Sequence, residues 1–266
     1  MQDWDSETYS KNSFLQYKGA TDFLHEHMAM FTGKSLNILD IGCGDGKITK
    51  KISLMLNDCK VYGMDNSISM VEHASKNHAN KENLCFALGD ASELNFQEEF
   101  DLIVSFYCLQ WIANKEKLFK EILNALKPDG VAFLLIPVIY PHYFAIREKM
   151  LQQPKWQYHS NNYEHSTHDK FADSNYIQYA INAGFSIIKA EIIPEKFTFQ
   201  SKEEFCNFLD PILPHFLQSD KVAKKLFISE LVECYREYSQ EEDWVYEYYM
   251  YRLIAKKNSY ARIDWS

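Results

Sequence analysis

The sequence contains no run of eighteen apolar residues, no Cys-x-x-Cys pair and no excess of positive charge. The first absence argues against a membrane-spanning helix. The polar, acidic start "MQDWDSETYSKN" argues against a secretory signal peptide. The six cysteines are scattered, which predicts reduced thiols instead of a disulfide framework or a zinc site. Together these features predict a cytoplasmic protein.

The charge balance further restricts the partners of the chain. There are 37 acidic residues against 28 basic ones, for a net charge of -9. An acidic surface disfavours a nucleic-acid footprint and a basic membrane-binding face. The 266 residues suffice for one sizeable core with additional covering elements. We therefore expect no nucleic-acid or membrane partner, and a monomer or homodimer.

Apolar runs alternate with helical patterns in the first half of the chain. The runs, which predict strands, cover 36–41, 60–65, 84–90, 101–106 and 131–137. The helical patterns cover 47–56, 69–76 and 115–126, and the "KPDG" that follows the last of them predicts a helix stop and a tight turn. This alternation predicts an α/β fold, a doubly wound parallel sheet with helices on both faces.

The pattern changes after Pro137. Residues 138–170 are aromatic and polar, without a strand signal. Further on, the predicted elements are a helix over 173–183 closed by Gly184, a strand over 185–193, helices over 201–209 and 221–239, and a last strand over 244–257. We expect a single domain over 1–266, divided into N-terminal cover helices (1–35), a core (36–137) and cap elements (138–175 and 195–243).

The stretch "ILDIGCGDGKIT" (38–49) leads from a strand through a turn with three glycines into a helix. A dinucleotide fingerprint has the spacing G-x-G-x-x-G, whereas here the third glycine, Gly46, comes one residue early. Asp40 stands two residues before the loop and would repel a pyrophosphate. The same carboxylate suits a ligand that carries an ammonium or a sulfonium group.

Two more aspartates end neighbouring strands. Asp65 ends the second strand and can accept both hydroxyls of a ribose. Asp90 ends the third and can accept from the exocyclic amine of an adenine. The carboxyl ends of these strands meet at one crevice, where open α/β sheets bind ligands.

Five motifs in order carry a resemblance to a known family. They are "LDIGCGDG" (39–46), "GMDNS" (63–67), "GDASEL" (89–94), "FDLIVSFYCLQWI" (100–112) and "LKPDGVAFL" (126–134). With them the chain resembles the class I S-adenosylmethionine-dependent methyltransferases. The resemblance implies a Rossmann-like seven-stranded doubly wound sheet whose last strand is antiparallel, with helical cap elements. It also implies S-adenosyl-L-methionine as cofactor and S-adenosyl-L-homocysteine as product.

The resemblance also implies which residues contact this cofactor. Acidic and loop residues of the first strand would hold the methionine portion, and residues after the second and third strands would hold the ribose and adenine. Two residues after the fourth strand would flank the sulfonium. In chain order, the expected cofactor-binding residues are Asp40, Gly42, Cys43, Gly44, Asp65, Asn66, Asp90, Ala91, Ser105 and Phe106.

Two stretches outside the common motifs resemble the branch of small-acid carboxyl methyltransferases. They are "YSKNSFLQYKGATDFL" (9–24) and "FYCLQWI" (106–112). The branch includes juvenile hormone acid, trans-aconitate and malonyl-carrier-protein methyltransferases. In the first of these, a glutamine and a tryptophan hold the substrate carboxylate, and Gln16 and Trp111 match them. A carboxylate is ionised at neutral pH and needs orientation by neutral donors, not a general base. The alternatives are a solvated helix residue for Gln16 and a core aromatic for Trp111.

The expected acceptor is a small apolar organic acid, because the cap segments are rich in aromatic side chains. A trans-aconitate type of substrate would call for a cluster of basic side chains; Arg147 and Lys155 stand in the cap, but no cluster is evident. Aromatic residues such as Trp156, Phe205 and Phe208 either line the pocket or pack the cap. The residues expected to contact the substrate are Tyr9, Phe14, Tyr107, Tyr140 and His142.

Three other functions remain open on the sequence. One is methylation of an acid bound to a carrier protein, and another is methylation of a phenol or amine with His142 as the base. A non-catalytic binding module would predict a damaged glycine loop, which is not found here.

His165 and His168 form an H-x-x-H in a polar loop without partnering cysteines, so we expect no metal site.

Overall fold

The computed structural model describes residues 4–56, 58–80, 82–139, 142–160, 175–212, 220–240 and 242–259. The helices are α1 (Ser6–Asn12), α2 (Phe14–His27), α3 (Lys47–Met55), α4 (Ile68–His78), α5 (Lys115–Ala125), α6 (Tyr143–Leu151), α7 (Pro154–Ser160), α8 (Tyr176–Ala183), α9 (Lys202–Ile212) and α10 (Lys221–Ser239). The strands are β1 (Asn37–Ile41), β2 (Lys60–Asp65), β3 (Leu84–Leu88), β4 (Phe100–Phe106), β5 (Leu126–Ile139), β6 (Phe185–Phe199) and β7 (Trp244–Lys257).

The seven strands form one sheet in the order β3-β2-β1-β4-β5-β7-β6. Strands β1 to β5 pair in parallel, and β7 runs antiparallel to both β5 and β6. This confirms the predicted fold, including the antiparallel last strand. The strand order reverses between β1 and β4, so the crevice lies at the carboxyl ends of these two strands.

Each face of the sheet buries its own hydrophobic cluster. Ile38 and Phe133 belong to the cluster that also contains residues of α2 and α10. Leu39 and Leu134 belong to the other, with residues of α5 and α8. Neighbouring residues of a strand point to opposite faces, so these near-continuous apolar strands are typical of a sheet covered on both sides.

Two elements depart from the predicted pattern. The "KPDG" segment lies inside β5 as a bulge, because Leu126 pairs with Phe100 and Val131 already pairs with Leu102. Strand β6 continues to Phe199, six residues beyond the predicted end at 193, because β7 pairs with it along its whole length. Strand β5 likewise extends two residues into the segment that we assigned to the cap.

The antiparallel pair of β6 and β7 reaches beyond the rest of the sheet. Strand β7 pairs with β6 from Trp244 onward, but with β5 only from Tyr249. The extension lies at the carboxyl edge of the sheet, where α6, α9 and α10 pack together. This edge therefore carries the cap. Over the described segments, no helix is both long and apolar enough to cross a membrane.

Candidate active site at the carboxyl edge of the sheet

The glycine loop after β1 has a conformation that depends on its glycines. Gly42, Gly44 and Gly46 have φ angles of 74°, 52° and 79°. A Cβ at Gly42 would collide with the side chain of Cys108. The amide of Gly42 donates to the carbonyl of Met64 over 2.7 Å. The end of β2 and the loop after β4 therefore fix the loop in place, as a ligand-binding turn requires.

Asp40 lies at the end of β1 as a buried carboxylate with 2% exposure. The hydroxyl of Thr49 donates to it over 2.6 Å. Burial raises the pKa of Asp40 to about 7, Thr49 opposes the rise and Asp65 adds to it. No cationic side chain of the described segments forms an ion pair with Asp40. When Asp40 ionises, its charge has no cationic partner among the described residues, and a ligand with an ammonium or a sulfonium group would supply one.

Asp65, at the end of β2, accepts two backbone hydrogen bonds. The amide of Gly44 donates to Oδ2 over 2.9 Å, and the amide of Ser67 donates to Oδ1 over 3.0 Å. The carboxylate thus connects the glycine loop to the start of α4. Asn66 follows it at an exposed position. The predicted roles of Asp65 with the ribose and of Asn66 beside the adenine stay predictions.

Asp90 occupies the corresponding position after β3. Its Oδ1 accepts from the amide of Ser92 over 2.8 Å and from the Ser92 hydroxyl over 2.7 Å. These bonds cap the short 3-10 helix Ala91–Glu93. Oδ2 accepts no hydrogen bond from the residues the structure describes, so it remains available for a donor such as an amine. Ala91 is buried at 9% exposure.

The two residues expected beside the sulfonium are both buried. The hydroxyl of Ser105 donates to the carbonyl of Ile41 over 2.8 Å and so ties β4 to β1. The ring of Phe106 packs edge to face on Phe23 of α2, with 6.3 Å between ring centroids. The side chain of Phe106 is therefore part of the hydrophobic core. Its contact with the sulfonium stays a prediction.

Two thiols border the crevice. Burial raises the pKa of Cys43 above its usual range, and burial together with Asp65 and Asp40 raises the pKa of Cys108 to about 12. The thiolate is the nucleophilic form of cysteine. Both thiols therefore stay protonated at neutral pH and do not compete for an electrophile in the crevice.

The N-terminal segment covers the crevice with aromatic rings. Trp4 makes edge contacts with Tyr9 and with Trp111, at centroid distances of 5.9 Å and 5.7 Å. The Tyr9 ring lies against Gly44 of the loop. Burial, with Asp45 and Asp65 nearby, raises the pKa of Tyr9 above its usual range, so its hydroxyl is neutral. Tyr9 and Trp111 thus lie on one aromatic bridge across the crevice, as neighbours of Trp4.

Tyr107 directly follows β4, at the start of the loop that carries Trp111. It has a positive φ of 57°, which is strained for a bulky residue and is often found at functional sites. A Cβ at Gly19 of α2 would collide with the Tyr107 hydroxyl, which also forms a hydrogen bond with Tyr248 of β7. The side-chain amide of Gln110 donates through Nε2 to the Tyr107 carbonyl over 2.8 Å. Tyr107 therefore joins α2 and β7 to the loop that carries Trp111.

Gln16 lies on the inner face of α2, with 8% exposure. Its Oε1 has no hydrogen-bond partner in the described segments. Ser13 precedes it by three residues and contacts Asp45 of the glycine loop, and Gly19 follows by three residues and contacts Tyr107. Residues three apart share one face of a helix, so Gln16 faces the crevice between the glycine loop and Tyr107. The alternative of a solvated Gln16 is wrong.

The remaining candidates lie within the cap or against it. Phe14 packs on Phe197 and Phe199 of β6, with 5.1 Å and 6.1 Å between ring centroids. His142 lies 3.6 Å from the carboxylate of Glu247, beside the ring of Tyr238. Their contact with a substrate stays a prediction. Tyr140, His165 and His168 lie outside the described residues, so the expectation of no metal site also stays a prediction.

Three residues that the sequence did not single out for a role contribute to this site. Trp4 bridges Tyr9 and Trp111, and Ser13 contacts Asp45 of the loop. A tryptophan within the polar segment "MQDWDSETYSKN" was a signal for Trp4. Asp45 had no signal, because an aspartate in a turn is common for local reasons.

Comparisons with known proteins agree with this architecture. Residues 38–130 match the family model "Methyltransferase domain". The chain is 31% identical over 232 residues to protein 235L of Invertebrate iridescent virus 6, a proposed methyltransferase; the match covers 87% of this chain and 85% of that protein. It is 31% identical over 137 residues to juvenile hormone acid O-methyltransferase of Bombyx mori, covering 49% of each. It is 34% identical over 126 residues to malonyl-[acyl-carrier protein] O-methyltransferase 2 of Ilyobacter polytropus, covering 47% and 48%.

The fold is also found among solved structures. A proposed methyltransferase of Bacillus halodurans superimposes with a TM-score of 0.62 at 16% identity, over 90% of this chain and 99% of that one. The chain spans about half the length of the juvenile hormone acid and malonyl-carrier-protein relatives. The glycine loop, the acidic strand ends and the extended match to protein 235L lead to one conclusion: the chain belongs to the class I S-adenosylmethionine-dependent methyltransferases.

Proposed function

We propose that this methyltransferase methylates the carboxylate of a small apolar organic acid. The observation that carries the proposal is the buried amide of Gln16, which has an unused hydrogen-bonding position at the crevice. A buried polar atom without a partner costs about 1–3 kcal/mol, and a bound ligand that supplies the partner would remove this cost. The oxygen and nitrogen of a side-chain amide exchange by a flip, and the flipped amide offers an N–H to a carboxylate oxygen.

The residues of the crevice suit S-adenosylmethionine. Asp40 offers an unmatched negative charge for the cationic part, Asp65 suits the ribose, and Oδ2 of Asp90 is open to the adenine amine. When bound, this cofactor supplies an electrophilic methyl group. The protein then has to orient the acceptor, exclude water and leave the carboxylate reactive.

The N-terminal cover and the loop after β4 contribute neutral groups to this task. Gln16 would donate one N–H and Trp111 another, while the neutral Tyr9 closes the crevice above Gly44. An arginine would stabilise the anion in the ground state and reduce its attack. A carboxylate needs no general base, so the site requires no titrating acid or base near the acceptor.

The preference for an apolar acid is supported by the cap. Phe14, Phe197 and Phe199 form an aromatic group at the carboxyl edge. Trp156, Phe205 and Phe208 are at most 4% exposed, so they contribute mainly packing. Two basic residues of the cap already have acidic partners, since Arg147 pairs with Glu148 and Lys155 with Glu230. These two side chains are therefore less suited to hold a tricarboxylate.

A carrier-bound acid is the second candidate, supported by the relative that acts on a malonyl carrier protein. Methylation of a phenol or amine has less support. Its candidate base, His142, interacts with Glu247 and Tyr238 instead of with the aromatic bridge over the crevice.

The test is methyl transfer from labelled S-adenosylmethionine to a panel of acids, phenols and amines. The panel contains medium-chain fatty, farnesoic-type, aconitic and carrier-bound malonyl acids. Mild base releases methanol from an ester but not from an ether or a methylamine. We expect base-labile label with an apolar acid. Base-stable label, or label on aconitate alone, would contradict the proposal.

A further inference from the structure

The junction of α1 and α2 makes an unusual contact. Ser13 is the N-cap residue of α2, but its hydroxyl does not cap that helix. It donates to Oδ2 of Asp45 in the glycine loop over 3.2 Å. Both residues are 5% exposed. A serine at this position normally accepts from the first amides of its own helix; here the hydroxyl instead donates to Asp45, with the Ser10 carbonyl at 3.5 Å as a more distant second acceptor.

A second contact joins the same carboxylate to α1. The ammonium of Lys47 lies 3.1 Å from Oδ2 of Asp45 and also donates to the carbonyl of Ser10. The other oxygen, Oδ1, accepts from the amide of Lys47 over 3.3 Å, within the loop's own turn. Asp45 therefore connects the start of α3 to two points of the N-terminal cover, the end of α1 and the start of α2.

These contacts determine where two site residues lie. Tyr9 precedes Ser10 and rests on Gly44, next to Asp45. Gln16 lies one helical turn after Ser13, on the same face of α2. A change at Asp45 would therefore shift the ring that covers the cofactor loop and the amide that we assign to the acceptor.

We infer that Asp45 is a positioning residue that couples the cofactor loop to the helix carrying Gln16, through Ser13 and Lys47. The inference rests on the proposed function for the part that concerns Gln16. The coupling is reciprocal: a cofactor that orders the loop also orders the cover, and an ordered cover holds the acid in place. The acid consequently binds more tightly to the cofactor complex than to the free protein.

Hydrogen–deuterium exchange tests the coupling without any acid. The wild-type protein and the Ser13→Ala, Ser13→Thr and Lys18→Ala variants are compared with and without S-adenosylhomocysteine. Ser13→Ala removes the hydroxyl and leaves the glycine loop intact, while Ser13→Thr restores a hydroxyl. Lys18→Ala is the matched control, because its ion pair with Asp22 lies on the exposed face of the same helix. Lys47→Met replaces Ser13→Ala if the latter does not fold.

In the wild type and in Lys18→Ala, S-adenosylhomocysteine should slow exchange both in the loop (38–46) and in the cover (4–20). In Ser13→Ala the loop should keep this protection, while exchange in the cover should be about fivefold faster and independent of the ligand. Ser13→Thr should restore the wild-type pattern. Equal ligand-induced protection of the cover in Ser13→Ala and the wild type would overturn the inference, as would a wild-type cover that does not respond to the ligand.

The exchange result is independent of the identity of the acceptor. If no acid accepts the methyl group but the cover responds through Ser13, the coupling stands and the proposed methylation of a carboxylate fails. If an acid is methylated and Ser13→Ala retains a fully coupled cover, the proposed function stands and the coupling fails. With the first acid found to accept the methyl group as substrate, Ser13→Ala should raise KM more than it lowers kcat. A purely structural contact would not produce this difference between the two constants.

Discussion

The crevice and the cover that closes it are held by different kinds of contact. In the crevice, backbone amides hold the acidic strand ends, as Gly44 does with Asp65 and Ser92 with Asp90. In the cover, the contacts join pairs of side chains, such as Ser13 with Asp45 and Trp4 with Trp111. The shape of the crevice therefore depends on backbone positions and that of the cover on single side-chain pairs, so we expect the crevice to be the more rigid region.

Two glycine substitutions compare the rigidity of the regions. Gly42→Ala should lower the free energy of unfolding by about 2–4 kcal/mol, because φ is positive and the new Cβ meets Cys108. Gly19→Ala should cost less, about 1–2 kcal/mol, since helix propensity improves while the Tyr107 ring must shift and strain its hydrogen bond with Tyr248. Urea denaturation measures both, and similar losses would contradict the difference in rigidity.

The next largest effect is expected for the ribose carboxylate. Asp65→Ala removes the acceptor of the Gly44 and Ser67 amides and the expected ribose contact. Affinity for S-adenosylmethionine should fall about 100-fold by isothermal titration calorimetry. Asp58→Ala, at the exposed position just before the same strand, is the control and should bind normally. A near-normal dissociation constant for Asp65→Ala would refute the assignment.

Trp111 separates acceptor binding from cofactor binding. Trp111→Phe keeps a ring for Trp4 but removes the indole N–H, so kcat should fall about tenfold while cofactor affinity changes little. Trp111→Ala should reduce kcat further. The control is Trp244→Phe, whose ring stacks under Arg236 away from the glycine loop. Equal losses in kcat and in cofactor affinity would eliminate Trp111 as a holder of the carboxylate.

The smallest expected effect is a pH dependence from Asp40. Burial raises its pKa to about 7 in the free protein, so the carboxyl group is mostly neutral below this pH and ionised above it. An ionised Asp40 attracts the cationic cofactor, so affinity should rise with pH and level off above about pH 8. The gain should stay below tenfold per pH unit.

Titration calorimetry at several pH values measures this dependence. Asp40→Asn should abolish the change around pH 7, because the amide does not titrate. Affinity that falls as the pH rises through 7 would contradict the assignment of Asp40 to the cationic part of the ligand.

The different contacts also explain what the sequence could predict. Asp40, Asp65 and Asp90 follow apolar runs at strand ends, so their shared crevice was predictable from periodicity alone. The burial of Gln16 agrees with the role given to it by resemblance. Trp4 and Asp45 were not predicted, because their partners lie in other segments and no local pattern marks such pairs. The extension of β6 to Phe199 was missed for the same reason, since pairing with β7 defines it.

The proposed function depends on Gln16 and Trp111 holding the carboxylate of the acceptor over the cofactor crevice. The most direct measurement is calorimetric binding of the best acid from the panel, and of its methyl ester, to the complex with S-adenosylhomocysteine. For the wild type, the acid should bind at least about tenfold more tightly than the ester, because only the anion can accept both charge-assisted bonds. In Gln16→Leu and Trp111→Phe this difference should shrink to less than about threefold. Equal binding of acid and ester to the wild type, or an unchanged preference in both variants, would contradict the claim.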